Sequence, residues 1–410
     1  MPPLDEQIAE LSGRLTRYPP QRYPVQHATT QFHLGTALLQ ADRVPEALAA
    51  LSTAEQGFAK AGLALERAKA ANMRAVGLRT AGRPDQAAEA FSFAVNEFSA
   101  LGRGLEAAAA SYNLGLACGD SGDLAGAGQA FTRAAELFSA AGRGAEAAAA
   151  AREHGTLLLT SGEVAAAVEM LEPAVELAFR SGDMAGAGAT ANALGLAHLA
   201  AAQATAAAAS FRDALGAHPR SVRPVEHAMA KANLALALER AGDTARSRLA
   251  ARQALGIGSA PAAVCSQAQQ VLQRLPPATG AELFDVLEDT PPDSWVALVR
   301  EEVLWWADAS PTARAGAASA WVEGQLRRPG RGAQFAESLL GALLELPPAA
   351  FQVVVKSIVL AAADRSLDDA QAFRAGVRSG MARFALPQWQ RLAAAFDAAS
   401  AELGVAAQWS

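Results

Sequence analysis

"YNLGLACGDSGDLAGAGQAFTRAAELF", Tyr112 to Phe138, holds a Leu-Gly pair, a Gly-Asp turn, and then alanines and a phenylalanine at helical spacing. Steps of 40 residues from Gly115 reach Gly35, Ala75, Gly155, Gly195 and Ala235, all of them Gly or Ala. The same step from Gly122 reaches Asp42, Gly82, Gly162, Ala202 and Gly242, mostly inside turn-like phrases such as "AGRPDQA" and "SGEVAAA". Ala127 falls in step with Ala47, Ala87, Ala167, Ala207 and Ser247, and Phe131 with Leu51, Phe91, Leu171, Phe211 and Ala251. Ala134 aligns with Ala54, Ala94, Ala174, Ala214 and Ala254, so six copies stay in phase without an insertion.

Each copy reads as a helical hairpin. A small residue lets two helix backbones approach, a glycine turn reverses the chain, and a bulky Phe or Leu fills the gap to the next hairpin. Pro45 and Pro84 stand just after turns, in the first turn of the second helix, where a missing N–H costs least. One hairpin cannot bury its apolar stripe alone, so neighbours stack and the product is a solenoid. Composition agrees, because Ala and Leu dominate and give up little side-chain freedom in a helix.

The residues Leu114-Gly115, Gly122-Asp123, Ala127, Phe131 and Ala134 stand in the order of a tetratricopeptide repeat, which this stretch resembles. The resemblance covers about Ala28 to Gly256, with "APAAVCSQAQQVLQRL", Ala260 to Leu275, as a terminal capping helix. Two features depart from the family: the period is 40 rather than about 34, and the proline that often closes a repeat is mostly missing. The longer period is similar to the extended subclass in kinesin light chains and in peptide-pheromone receptors of Gram-positive bacteria. The resemblance implies an all-α chain: a right-handed α-solenoid of about six hairpins, then an α-helical C-terminal domain. The expected divisions are an N-terminal helix over residues 1–27, the solenoid with its cap over 28–275, a linker over 276–280 and a tail over 281–410.

A competing reading attaches to "LGRGLEAAAA", Leu101 to Ala110, whose Gly102-x-Gly104-x-x-Ala107 matches a dinucleotide-binding turn. That turn needs a strand before it, whereas Phe98 and Leu101 finish a predicted helix. Gly62, Gly102, Gly142 and Gly182 also share one phase of the repeat, so these glycines separate hairpins.

In the family it resembles, the first helix of each hairpin lines a concave groove that holds a peptide. The corresponding pairs are Phe32-His33, Asn72-Met73, Tyr112-Asn113, Arg152-Glu153, Asn192-Ala193 and Ala232-Asn233. An amide offers both a donor and an acceptor, so Asn72, Asn113, Asn192 and Asn233 are ladder candidates for the backbone of an extended peptide. Lys69, Arg79 and Arg152 are candidate charge contacts, and Phe32 and Tyr112 apolar ones. An asparagine beside the Leu-Gly pair also belongs to the repeat's own architecture, above all at Asn113 and Asn233. Much of the expected groove is Ala, Leu and Thr, which favours an apolar or amphipathic peptide.

The net charge is −6, without the basic footprint that neutralises phosphates, so no nucleic-acid partner is expected. Residues 281–410 carry 16 acids and 11 bases and hold the acidity. Arginine far outnumbers lysine, which reads as the coding bias of a GC-rich, bacterial genome. Cys118 and Cys265 are isolated and expected to be reduced. With no signal peptide and no apolar run long enough to span a bilayer, a soluble cytoplasmic protein without membrane contact is expected. The six histidines are scattered, so neither a metal nor any other cofactor is expected.

"LPPATG", Leu275 to Gly280, interrupts the helical pattern, and beyond it the register of 40 disappears. All six tryptophans lie there, which marks a separately packed unit of six or seven helices. Asp293, Ser310-Pro311 and Ser366-x-x-Asp369 read as helix starts. Trp295, Trp306 and Trp321 read as core by periodicity, while Trp409 is either an anchor or loose. "RRPGRG", Arg327 to Gly332, reads as an exposed turn. Glu301 and Glu302, about 100° apart on one helix, read as a solvated face rather than an acid/base pair. No nucleophile motif occurs. The expected function is a protein-interaction scaffold that takes a peptide or partner protein in the groove. The alternatives are a ligand- or peptide-sensing regulatory receptor and a helical biosynthetic enzyme whose tail is catalytic.

Overall fold

The computed structural model describes Pro3 to Val405 together with Gln408 and Trp409, and all regular structure among these residues is helical. They pack as two units, divided between Ala202 and Gln203.

The first unit runs α1 (Leu4–Arg17), α2 (Pro24–Gln40), α3 (Val44–Lys60), α4 (Ala64–Thr80), α5 (Pro84–Ala100), α6 (Gly104–Ser121), α7 (Leu124–Ala140), α8 (Gly144–Thr160), α9 (Val164–Ser181) and α10 (Met184–Ala200). From α2 to α5 each helix has 17 residues, and three residues of turn carry it into the next. "LGRG" shows how the turn works. Gly102 sits at φ 65°, Arg103 N–H donates to Phe98 O at 2.8 Å, and Gly102 N–H donates to Ser99 O at 3.1 Å. This 6→1 and 5→2 pair satisfies the last carbonyls of α5, and α6 starts at Gly104. Asp42 and Ala202 hold φ 58° at the corresponding turns without being glycine.

The register of 40 is a packing register. A Cβ added at Gly35 would stand 2.5 Å from Leu51 Cγ, at Gly115 2.6 Å from Phe131 Cε1, and at Gly155 2.5 Å from Leu171 Cγ. Each glycine therefore receives the large residue 16 positions later, and every Ala, Leu and Phe aligned above outside the turn position of Ala202 is buried. The helix α1 closes the near end by burying Ile8 and Leu11 against Leu34 and Leu38. The first repeat helix begins at Pro24 rather than at residue 28, because Pro at N1 starts it.

The second unit holds α11 (Ala204–Ala217), α12 (Pro224–Arg240), α13 (Thr244–Leu255) and α14 (Ala262–Arg274). Beyond residue 280 follow seven α-helices: α15 (Glu282–Glu288), α16 (Trp295–Asp308), α17 (Pro311–Leu326), α18 (Gly332–Leu344), α19 (Pro348–Ala363), α20 (Leu367–Met381) and α21 (Leu386–Glu402). "LPPATG" does break the helical pattern, but it does not break the packing. Leu249 of α13 belongs to the same hydrophobic core as Trp295, Trp306, Trp321 and Trp409, and α13 touches both α15 and α16.

Ser310 caps α17 by accepting from Ala313 N, as expected. Ser366 caps α20 through Asp369 N, but its hydroxyl donates to the Asp369 carboxylate, so the reciprocal bond runs between side chains. Asp293 does not cap α16, which follows a short 3-10 turn and starts after Ser294. Trp409 is a buried anchor, with its indole N–H on Ser400 Oγ at 2.7 Å and Phe396 at 5.0 Å. Arg328 of the basic turn is half-buried over the Phe284 ring and paired with Glu288 at 2.9 Å, so that turn is pinned rather than free.

A second internal repetition escaped the 40-residue reading. "YPPQRYPVQHA" (Tyr18–Ala28) and "HPRSVRPVEHA" (His218–Ala228) lie 200 residues apart. They form the same loop, in which His27 Nδ1 meets Tyr18 O and His227 Nδ1 meets His218 O, both at 2.8 Å. The helix α1 is thus in phase with the second helices of the hairpins.

Candidate functional site

In the first unit α2 touches α4, α4 touches α6, and α8 touches α10, so first helices of neighbouring hairpins stand side by side in two stretches of a row, α2–α4–α6 and α8–α10. Two positions four apart share a helix face, and on this row they read Phe32 and Thr36, Asn72 and Val76, Tyr112 and Leu116, Arg152 and Thr156, and Asn192 and Leu196. All are half-buried except Thr156 and Leu196, which are exposed. The neighbouring core positions are almost invariant from copy to copy, whereas these change from aromatic to amide to cation. Packing alone does not ask for that variety.

Asn72 stands out among the candidates because its Oδ1 is buried without a partner. Such an acceptor costs free energy unless something donates to it. Tyr112 packs edge-on against Phe131 with ring centroids 5.7 Å apart. Burial raises its phenol above the usual range, the Glu153 carboxylate adds to this, and Arg152 and Arg79 oppose it. Asn113 borders a small hollow with Val76, Arg79 and Asp120. Phe32 lies edge-on to His33 at 5.5 Å. Lys69 is half-buried, and its charge helps to lower the Glu106 carboxyl, whose main cause is the hydrogen bond from Arg103.

Arg79 donates to Asp120 at 2.6 Å across adjacent first helices, and Arg152 pairs with Glu153 at 2.8 Å. Both cations therefore already have carboxylate partners, and a peptide carboxylate would compete with these. Asn192 is half-buried on α10 and engaged within the fold. Asn233 is buried in the second unit, where its Oδ1 accepts from Gln267 Nε2 at 2.9 Å. It joins α12 to the capping helix α14, which Arg274 also ties to Glu239 at 2.6 Å. The structural reading of this asparagine therefore prevails over the ladder reading.

His154 entered the sequence reading only as a scattered histidine. It occupies the core slot that holds Leu34 in α2 and Leu114 in α6, and Gly128 leaves room for its ring. Its Nδ1 lies 3.1 Å from Thr132 Oγ1, and burial lowers its pKa. Its ring borders an open hollow of about 860 Å³ with Thr132, Arg133, Glu136, Leu157 and Glu163. Only the mismatch with the leucine slot signals it in the sequence.

The Glu301-Glu302 pair corrects the solvated-face expectation. Glu301 reaches Lys231 Nζ at 3.1 Å and His227 Nε2 at 3.6 Å. Glu302, 1% exposed, accepts from Arg252 at 3.1 Å and from Gln253 Nε2 at 3.0 Å. Gln253 Oε1 in turn accepts from Lys231 Nζ at 2.8 Å, which closes a network between α12, α13 and α16. Burial alone would raise the Glu301 carboxyl, but the adjacent His227 ring and the Lys231 ammonium outweigh it and hold it at about 2. The two carboxylates fasten the tail to the last hairpin. Arg248 with Glu282 at 3.2 Å, Arg246 with Asp289 at 2.9 Å and Arg220 with Asp308 at 2.9 Å extend that face.

Among the described residues no three His, Cys, Asp or Glu side chains gather as metal ligands, and no helix is long and apolar enough to cross a membrane. Neither cysteine is in a disulfide.

No protein-family model matches the chain, and neither does any curated protein. Among solved structures it is similar to BtubC from P. vanneervenii, with 15% identity over 67% of this chain and 94% of that one and a TM-score of 0.36. It is similar to the Rap conjugation gene regulator of plasmid pLS20, solved with a Phr peptide, at 11% identity over 96% and 97% of the two chains and a TM-score of 0.37. It is also similar to the P58(IPK) TPR domain, at 13% identity over 92% and 98% and a TM-score of 0.25. At such identities and scores no residue role or partner of these proteins carries over to this chain.

Proposed function

We propose that the chain is a protein-interaction scaffold of the extended tetratricopeptide kind, and that it binds a peptide segment along the row α2, α4, α6, α8 and α10. The observation that supports this is the contrast within the repeat: the positions that pack are uniform, while the half-buried face carries Phe32, Asn72, Tyr112, Arg152 and Asn192 in turn. Asn72 and Tyr112 are both half-buried on this face, and an amide there can pair with a peptide backbone. Leu105 and Leu196 are exposed and Val76 and Leu116 half-buried on these helices, and they offer apolar contact. An apolar or amphipathic segment with free backbone amides fits this surface better than a charged tail.

Panning the full chain against a displayed random peptide library tests the reading. Enriched peptides should bind Asn72→Ala/Tyr112→Ala about tenfold or more weakly, as expected for central contacts, while the melting temperature stays within about 2 °C. Peptides that bind this double variant as well as the parent would remove the row from consideration.

A further inference from the structure

We propose that the open hollow beside His154 is a second docking surface, and that it takes a basic amphipathic helix of a partner protein. The hollow, of about 860 Å³, lies between α7 and α8 within the first unit. Its walls are two ridges. Leu124, Gly128, Thr132 and Glu136 stand four residues apart along α7, and His154, Leu157, Leu158 and Ser161 share one face of α8. His154 and Leu158 fall about 200° round α8 from Arg152 and Thr156, so this surface is distinct from the row on which those two residues stand.

The apolar floor comes from what this hairpin does differently. Leu157 is half-buried in a slot that holds Ala37, Gly77, Ala117, Ala197 and Ala237, all of them buried, in the other copies. Leu158 is half-buried too, whereas Leu38, Leu78, Cys118, His198 and Leu238 at its slot are all buried. Gly128 lets the His154 ring lie against α7, since a Cβ there would stand 2.9 Å from Nε2, and it puts no side chain of its own into the groove. Leu124 stands at the rim, 43% exposed. Two leucine positions that the array hides in every other copy are thus open here beside a third leucine, and apolar side chains gathered around a groove mark an interaction site.

Charge selects the partner. Glu136 lies at the far end of the α7 ridge. Glu163, just past the C-terminus of the antiparallel α8, lies at the Leu124 end. Both are exposed, and neither pairs with a cation among the described residues; Glu163 only accepts from Ser161 Oγ at 3.4 Å. Arg133, between them in sequence, turns its guanidinium to Ser99 Oγ at 2.9 Å. Burial lowers the His154 pKa, with Glu163 opposing, so the ring adds no charge at neutral pH. Two free carboxylates against one engaged guanidinium attract a cationic partner and repel an acidic one. The ridge from Leu124 to Glu136 runs about 18 Å, which is the length of about three turns of helix. A helix that lays leucine-like side chains between the ridges and a cation toward each glutamate fits this groove.

Two fluorescein-labelled peptides of about 14 residues, long enough to form a helix on binding, test this on the full chain by fluorescence anisotropy. Both carry leucine along one helical face; one has lysine on the opposite face and the other glutamate. The leucine–lysine peptide should bind with a Kd below about 100 μM, and the leucine–glutamate peptide about tenfold or more weakly. Leu124→Ser, at an exposed position, should weaken the first about fivefold. Glu136→Lys/Glu163→Lys changes two exposed side chains, should leave the melting temperature in place, and should reverse the order of the two peptides. Asn72→Ala/Tyr112→Ala should bind the leucine–lysine peptide as the parent does. Equal binding of the two peptides, an unchanged order in the charge-reversed variant, or loss of the leucine–lysine peptide in Asn72→Ala/Tyr112→Ala would each overturn the proposal. The last result would put the peptide on the row and leave the function proposed above standing.

Discussion

The first unit and the tail beyond residue 280 are assembled by different rules from the same kind of helix. In the first, each helix packs chiefly on the next in sequence, and the core is a series of small clusters built from alanine with one Phe or Leu per hairpin. In the tail, α16 packs on α18, α17 on α19, α18 on α20 and α19 on α21, around one continuous core that holds four buried tryptophans. Contacts between sequence neighbours make stability a sum of local terms. Contacts between alternate helices join helices that are not sequence neighbours, so the tail should open as one body and the array piece by piece.

The largest expected effect tests that difference. Trp295 stacks on Phe335 at 4.7 Å with rings 4° from parallel. Its replacement by Ala empties a central position and should cost about 4–5 kcal/mol. Phe131→Ala in the array should cost about 3–4 kcal/mol by the same reasoning. Hydrogen exchange followed by mass spectrometry separates the two. Trp295→Ala should remove protection from α15 through α21 together, whereas Phe131→Ala should expose α6 and α7 with their immediate neighbours. Equal footprints for the two variants would remove the distinction between the units.

A smaller effect concerns the face by which the tail meets α12 and α13. The Glu301 carboxyl is held at about 2, below its ordinary value near 4.3. Its contribution is therefore present at about pH 5 and is lost as the pH falls through about 4.5 toward 2. It amounts to roughly 3 kcal/mol, from the linkage of about 1.4 kcal/mol per unit. All six tryptophans lie in the tail, so their fluorescence in urea reads this unit selectively. The midpoint should drop between pH 6 and pH 3 in the parent, and by clearly less in Glu301→Gln. An identical drop in both proteins would assign the acid sensitivity to other carboxylates.

What could be read in the sequence follows from the same contrast. Gly115 and Phe131 are 16 residues apart and recur as a pair, so the hairpin, its turn and its core were visible before any coordinates. The partner of Glu302 is Arg252, 50 residues upstream in another helix, and nothing periodic links them. The carboxylates consequently read as a solvated face when they are a fastening. Asn233 misled for a related reason: its phase within the repeat matched the groove, but the end of the array places a capping helix where another hairpin would stand. Asn72 and Tyr112 instead lie in hairpins that have further hairpins on both sides.

The smallest effect lies in the turns that make the array regular. Four of the six turns within hairpins use glycine, with Gly82, Gly122, Gly162 and Gly242 at φ 68° to 85°, whereas Ala202 stands at 58°. A Cβ in this left-handed region costs about 1–2 kcal/mol, and glycine gives back part of that through its freer unfolded chain. Ala202→Gly should therefore stabilise by roughly 0.5–1 kcal/mol, which is about 2–3 °C in melting temperature for a unit of this size. Asp42, at the same φ, should gain less on replacement by Gly, because Asp tolerates this conformation through local hydrogen bonding. Differential scanning calorimetry of both single variants measures the order. A larger gain at Asp42 than at Ala202 would show that the turns are governed by something other than backbone conformation.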